Sequence, residues 1–167
     1  MRWLRFVIGL LIALTLHSML DSFSPNALAF FNPYVILIVY YSMGGNVFGA
    51  IIAGVVAGLV QGAFSAAPLG LHAFSLTICA YFVAYINSRL SLRGTFAFGA
   101  CLAGAVIVNE LVIYLLMNIL IKVPIEMSEE GLVVKTIFTL IFGMFVYQLI
   151  TMFFREESVE ETRFLKS

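Results

Sequence analysis

The sequence predicts an all-α integral membrane protein, a six-transmembrane-helix bundle that forms a single membrane domain. Of its 167 residues, 62% are hydrophobic and only 11% are charged, and the mean hydropathy is +1.07. Soluble domains carry about 45–50% apolar and about 25% charged residues, so the composition differs from theirs in both respects. The apolar residues also form runs near the length of about 20 helical residues that crosses a bilayer. This composition argues against nucleic-acid binding and against a water-soluble enzyme.

The predicted spans follow one another with short connections. They cover residues 3–20, 27–43, 47–64, 69–86, 96–121 and 136–154, and residues 155–167 form a short cytoplasmic tail. The connections are rich in Gly, Pro, Ser and Asn, which are typical of turns, so consecutive helices are expected to be antiparallel neighbours. Asn32 and Pro33 interrupt the second run. Because proline lacks a backbone donor and restricts the residue before it, we expect a kink or a late helix start near Pro33.

The basic residues indicate the orientation, although the formal net charge is zero. With six spans and the N-terminus inside, the outer side holds only Lys122 and Lys135. The inner side then holds Arg2, Arg5, Arg89, Arg93, Arg155, Arg163 and Lys166. If the second run did not cross, four basic residues would lie inside and five outside. Basic residues concentrate on the cytoplasmic side of membrane proteins, so six spans with both termini in the cytoplasm are predicted.

Small residues recur every four positions in the third run. One row consists of Ala50, Gly54, Gly58 and Gly62, and a second consists of Gly45, Gly49, Ala53 and Ala57. Residues four apart share a helix face, and glycines there allow a second backbone to approach closely within the bilayer. The five glycines are therefore candidates for helix packing inside the bundle or for binding a partner. A weaker set in the fifth run, including Gly99 and Gly104, is a candidate for the facing surface.

Glu110 is the only carboxylate deep inside a predicted span, and Asn109 precedes it. An ionisable group there costs about 2.5–3.5 kcal/mol or more unless it is protonated, hydrated or paired. One interpretation is a functional site, for ligand binding, proton linkage or polar contact with a partner helix. The other is a neutral glutamate bonded to neighbouring spans, with His17 or His72 as partner, because no second charge is expected nearby. His72 opens the fourth run and is expected to be a capping or interfacial residue, so Glu110, Asn109 and His72 are the buried polar candidates, with Pro33 at the break.

No catalytic, cofactor-binding or metal-binding residue is predicted. The sequence lacks a phosphate-binding glycine loop with lysine, an H-E-x-x-H motif and a G-x-S-x-G motif. Cys79 and Cys101 both lie in apolar runs and are expected to be small buried side chains. We therefore expect no enzyme activity and no cofactor.

Residues 32–90 carry a resemblance to a known family. A run that begins at a proline is followed by a glycine-rich run, by PLGLHAF at residues 68–74 and by a run that contains tyrosine. This pattern resembles the bacterial rod-shape-determining protein MreD family, with which the chain length and number of apolar runs also agree. The family often has an Asp shortly before the Pro-Leu-Gly turn, where this chain has Gly62 after Gln61.

The resemblance implies a non-enzymatic membrane scaffold of the bacterial cell-elongation complex, which determines rod shape and supports peptidoglycan synthesis at the inner membrane. It implies binding to the membrane span and membrane-proximal segment of MreC, and through MreC to RodA, a penicillin-binding protein and MreB. It also implies a fold similar to the substrate-binding subunits of energy-coupling-factor transporters. A small-molecule-capturing subunit of such a transporter is therefore the alternative function.

Overall fold

The computed structural model describes residues 2–23, 31–44, 47–65, 68, 70–90, 94–121 and 129–164. Within these ranges the chain consists of helices and connecting turns and forms no strand. The helices are α1 (Arg2–Phe23), α2 (Pro33–Gly44), α3 (Val47–Ala63), α4 (Leu71–Leu90), α5 (Thr95–Ile121) and α6 (Glu129–Phe164). The predicted all-helical class is confirmed.

Four of these helices, α1, α4, α5 and α6, are long and apolar enough to cross a membrane. The other two are shorter, since α2 has 12 residues and α3 has 17. At about 1.5 Å per residue they measure about 18 Å and about 25 Å, less than a hydrocarbon core of about 30 Å. The lengths therefore agree with a helical membrane protein, and six crossings stay a prediction.

The helix α2 begins at Pro33, so the predicted late start is confirmed. The side-chain oxygen Oδ1 of Asn32 accepts a hydrogen bond of 3.1 Å from the backbone N–H of Tyr34. Asn32 thus caps the helix, and Pro33 takes the first helical position, where its missing N–H leaves no hydrogen bond unmade. Residues 27–30 of the predicted run lie outside the described residues.

The short helix α2 is the centre of the bundle, because it contacts all five other helices. Tyr34, Ile38 and Val39 are fully buried. A helix that is apolar on every side is one that other helices surround. Its C-terminal end is held by Asn87 of α4, whose amide Nδ2 donates a 2.6 Å hydrogen bond to the carbonyl oxygen of Met43.

The helices α3 and α4 pack backbone against backbone. A Cβ atom built on Gly54 would lie 2.8 Å from both the carbonyl oxygen of Leu76 and the Cα of Thr77. One built on Gly58 would touch the Cα of Ala73 and lie 2.5 Å from the carbonyl oxygen of His72. Any side chain at either glycine would force the helices apart, so both serve helix packing within the bundle rather than a surface open to a partner.

The remaining small-residue candidates have different surroundings. Gly49 is partly exposed, and Gly45 lies outside the described residues. Gly62 is buried, yet no described atom lies within 4 Å of the position its Cβ would take. The described residues of α3 and α5 make no contact, so the fifth run is not the facing surface of α3 and that expectation is wrong. The facing surface is α4, where Ala73 and Ala80 are the small residues.

Contacts between neighbouring helices show that the helices alternate in direction. Between α1 and α2, His17 lies against Tyr34 with ring centroids 5.5 Å apart, and Phe6 lies against Tyr41 at 5.0 Å. Increasing residue numbers in α3 likewise meet decreasing numbers in α4. One end of the bundle therefore holds the C-terminal ends of α1, α3 and α5 and the N-terminal ends of α2, α4 and α6. We call it the polar end.

The helix α6 is longer than the predicted span at both ends. It runs continuously for 36 residues from Glu129 to Phe164, so most of the predicted tail continues the same helix. Its early start places Lys135 inside the helix rather than in the preceding connection. The position of that one lysine decides the chemistry of the polar end.

We predict that Gly58→Ala lowers the free energy of unfolding by about 1–3 kcal/mol, because the new methyl group meets the backbone of α4. Gly62→Ala in the same helix is the matched control, since its methyl group meets open space and alanine favours the helix by up to about 1 kcal/mol. Unfolding of the purified protein in mixed detergent micelles measures both. Equal stability of the two variants would contradict the backbone contact.

Candidate functional site

Nearly all buried polar side chains of the described residues lie toward the polar end, Ser42 being the exception. They come from every helix of the bundle, although no single helix carries more than two of them. We call this set the polar end cluster. Besides Asn32, which caps α2, its members are the buried His17, Tyr34, Gln61, Ser75, Asn109 and Thr139 and the partly buried His72, Glu110 and Lys135.

An ion pair joins α5 to α6 at the centre of the cluster. The Nζ of Lys135 lies 2.7 Å from the Oε1 of Glu110, and the two side chains are 17% and 20% exposed. The expectation that no second charge lies near Glu110 is therefore wrong. Lys135 precedes the predicted sixth run by one residue, and the early start of α6 brings it onto the bundle. Its four-carbon stem can lie along apolar surface while its ammonium group reaches the carboxylate.

A chain of hydrogen bonds extends this pair to α4. The Nδ2 of Asn109 donates to the Oε1 of Glu110 at 3.1 Å. The hydroxyl of Ser75 donates to the Oδ1 of Asn109 at 2.8 Å and lies 3.1 Å from the carbonyl oxygen of the same residue. Ser75 and Asn109 are almost fully buried, so these bonds lie in a low-dielectric interior where electrostatic attraction is strong. The network connects α4, α5 and α6 through side chains alone.

The two histidines lie beside this network. His72 is the second residue of α4, and it is near enough to Lys135, Glu110 and His17 for electrostatic interaction with each. His17 packs against the ring of Tyr34. The predicted place of His72 at a helix start is confirmed, but the direct partner of Glu110 is Lys135 rather than either histidine.

Four polar atoms of the cluster have no hydrogen-bond partner among the described residues. They are the hydroxyl oxygens of Tyr34 and Thr139, the Oε1 of Gln61 and the Nδ1 of His72. Tyr34 and Thr139 are completely buried. A buried polar group without a partner costs about 1–3 kcal/mol, so four of them at one end of a bundle call for a physical explanation.

Sequence reasoning passed over Tyr34, Thr139 and Lys135 as site residues. Lys135 and Thr139 are four residues apart and so share one face of α6. This signal was missed because Lys135 was assigned to the connection before the predicted sixth run. Gln61 is the only strongly polar residue of α3, which is a signal in itself. Pro33, a candidate from the sequence, is buried at the start of α2 and serves the helix start.

An apolar cavity of about 160 Å³ lies between α1, α2 and α6, away from the cluster. The described residues of α1 and α6 do not contact each other, and α2 forms the floor between them. Lining residues on the two walls include Gly9, Ile12 and Leu16 of α1 and Phe142, Val146 and Ile150 of α6. Their spacing of about one turn along each helix gives a groove that runs parallel to the helices.

Comparison of the chain with known protein families, curated proteins and solved structures finds no match. The resemblance of residues 32–90 to the MreD family thus depends on their sequence pattern alone. The fold is consistent with a helical membrane protein, since four of its helices are long and apolar enough to cross a bilayer, and it carries an ion-paired polar cluster at one end.

We predict that Lys135→Met lowers the free energy of unfolding by about 2 kcal/mol, because Glu110 would lose its ion-pair partner in a mostly buried position. The double variant Glu110→Gln with Lys135→Met should recover most of that loss, since it removes both charges. Thermal unfolding in detergent measures the coupling between the sites. Arg89→Met, at an exposed cation on α4, is the control, and additive effects of the two single variants would contradict a coupled pair.

Proposed function

We propose that the chain is a non-enzymatic membrane scaffold of the bacterial cell-elongation complex and that it binds MreC in the inner membrane. The observation that supports a scaffold is the nature of its surface. Large apolar side chains are exposed along the helices, for example Leu11 on α1, Phe74 on α4 and Ile141 on α6. A partner of such a protein contacts it mainly inside the bilayer, where the packing of helices against each other gives specificity.

In this proposal, the complex is named from the resemblance of residues 32–90 to the MreD family. MreC, a protein with one membrane span and a membrane-proximal segment, is the direct partner. RodA, a penicillin-binding protein and MreB join through MreC in a larger complex for rod shape and peptidoglycan synthesis. No catalytic residue, cofactor or nucleic acid enters the proposal.

The groove between α1 and α6 is the surface that we propose for the span of MreC. Its walls run parallel to the helices, and its lining is apolar, as a neighbouring membrane span requires. The small residue Gly9 on one wall lies so close to Leu37 of the floor that a Cβ there would press against the leucine side chain. Close packing is the attraction available to such a helix, since lipid tails are as apolar as its side chains.

The proposal includes six crossings with both termini in the cytoplasm and a fold similar to energy-coupling-factor substrate-binding subunits. The alternating direction of the helices and the seven basic residues on one predicted side support this topology. Although α2 and α3 are short, both are packed among longer helices, and α2 is buried among all of them. Neither helix then needs to match the bilayer thickness on its own.

Reporter fusions test the topology. We expect a fluorescent protein fused after Gly44 to fluoresce, because that position is cytoplasmic if α1 and α2 both cross. Alkaline phosphatase fused after Ser65 should be active, because α3 returns the chain to the outer side. Fusions at both positions that report the same side would contradict the crossing of α2 and α3.

Co-purification from bacterial membranes tests the partner. We expect MreC to co-purify with the tagged chain and to be lost from Val146→Trp, because an indole would fill the groove. Phe145→Trp is the matched control, since Phe145 is exposed on another face of α6. Absence of MreC from the wild-type complex would refute the proposed function, while its retention by both variants would refute only the groove.

The second candidate function is a subunit that captures a small molecule for an energy-coupling-factor-type transporter. The observation that favours it is the group of four unpartnered polar atoms at the polar end. In that case the chain should co-purify with the ATP-hydrolysing module of a transporter and not with MreC.

A further inference from the structure

We infer that the polar end cluster forms a binding site for a small, net-neutral polar molecule that carries at least two hydrogen-bond donors. This site goes beyond the proposed scaffold function and does not depend on it. It is defined by the hydroxyls of Tyr34 and Thr139, the Oε1 of Gln61 and the Nδ1 of His72, beside the Glu110–Lys135 pair.

The alternating direction of the helices places these four groups toward one end of the bundle. Tyr34 packs against His17, and His17 interacts electrostatically with His72. Gln61 stands about one turn beyond Gly58, which lies against the backbone of His72. Thr139 stands about one turn beyond Lys135, which also interacts with His72. The four unpartnered groups therefore share the polar end of the bundle.

The burial of these groups favours a polar occupant. More than about 90% of buried polar groups in folded proteins have a hydrogen-bond partner. Lipid offers none at hydrocarbon depth, so the cost of leaving a group unpaired is higher in a bilayer than at a wetted surface. The hydroxyls of Tyr34 and Thr139 are completely buried and Gln61 is 6% exposed, so bulk water does not reach them.

Space for an occupant lies beside Gln61. Gly62 is buried, but no described atom lies within 4 Å of the position of its Cβ. One turn earlier, at Gly58, the same row of α3 touches the backbone of α4. Because α4 begins at Leu71, beside the residues that meet Gly58, it does not extend alongside Gly62, and that position of α3 is open among the described residues.

The charges and hydrogen-bonding groups define the class of molecule. The opposite charges of Glu110 and Lys135 cancel, so a ligand with net charge would bring an uncompensated charge into the bundle. The Oε1 of Gln61 only accepts hydrogen bonds, whereas each hydroxyl donates and accepts. A fitting molecule therefore has N–H or O–H donors and no net charge. A water-soluble metabolite and a zwitterionic lipid headgroup both satisfy this chemistry.

Native mass spectrometry of the full chain extracted from membranes tests the site. We expect an adduct on the wild-type protein that is retained about tenfold more weakly by Tyr34→Phe and by Thr139→Val, each of which removes one hydroxyl. Thr151→Val is the matched control, because its exposed hydroxyl bonds to the carbonyl oxygen of Tyr147 in its own helix. The adduct mass distinguishes a soluble molecule from a lipid.

A steric variant separates loss of binding from loss of folding. Gly62→Leu fills the opening without removing a polar group, so we expect it to displace the adduct. MreC co-purification should be unchanged in the same variant, so failure of the site and failure of the proposed scaffold function are distinguishable. An adduct retained equally by Gly62→Leu, Tyr34→Phe and Thr139→Val would overturn the inference.

Thermal stability gives an independent readout. If the hydroxyls bind a ligand, Tyr34→Phe and Thr139→Val lower the Tm and lose the adduct together. A wild-type protein without any adduct overturns the inference whatever the variants do. A lower Tm in the variants then shows that the occupant is water, and a raised Tm shows that the hydroxyls are unpaired and the site is empty.

Discussion

The close approach of α3 and α4 is the constraint on which the bundle depends. At Gly54 and Gly58 no side chain separates the two backbones, and the carbonyl oxygens of Leu76 and His72 occupy the space a Cβ would need. Hydrophobic attraction contributes little between helices in lipid, so a contact of this kind is held by dense van der Waals packing. It fixes the rotation of α4 as well as its distance, because only one face of α4 can meet the glycines.

The rotation of α4 determines which of its residues face the next helix. With Ala73 and Ala80 against α3, Ser75 and Cys79 lie against α5, where they meet Asn109 and Ala105. The network of Ser75, Asn109 and Glu110 therefore follows from a glycine contact on another helix. In turn, α2 fills the centre that these pairs leave, and its short length suffices because it contacts all five other helices.

The polar end has two kinds of polar group, and they differ in energetic consequence. Glu110 is tolerated in an apolar setting because Lys135 neutralises it and Asn109 donates to it. Substituting one partner of such a pair leaves the other without compensation, and the protein loses stability. The unpartnered hydroxyls of Tyr34 and Thr139 have no comparable compensation from the described residues. Of the six buried side-chain atoms without a hydrogen-bond partner among the described residues, four lie at the polar end.

The sequence by itself determined the features that depend on neighbours along the chain. Apolar runs, the late helix start at Pro33 and the glycine row of α3 are local, so their positions follow from residue spacing. Only the tertiary structure decided which surfaces meet. The glycines meet α4 rather than α5, and Glu110 meets Lys135, because pairing depends on the rotation of each helix and on the early start of α6. The residue spacing within one helix does not determine the rotation of that helix or its first residue, because both depend on packing against the other helices.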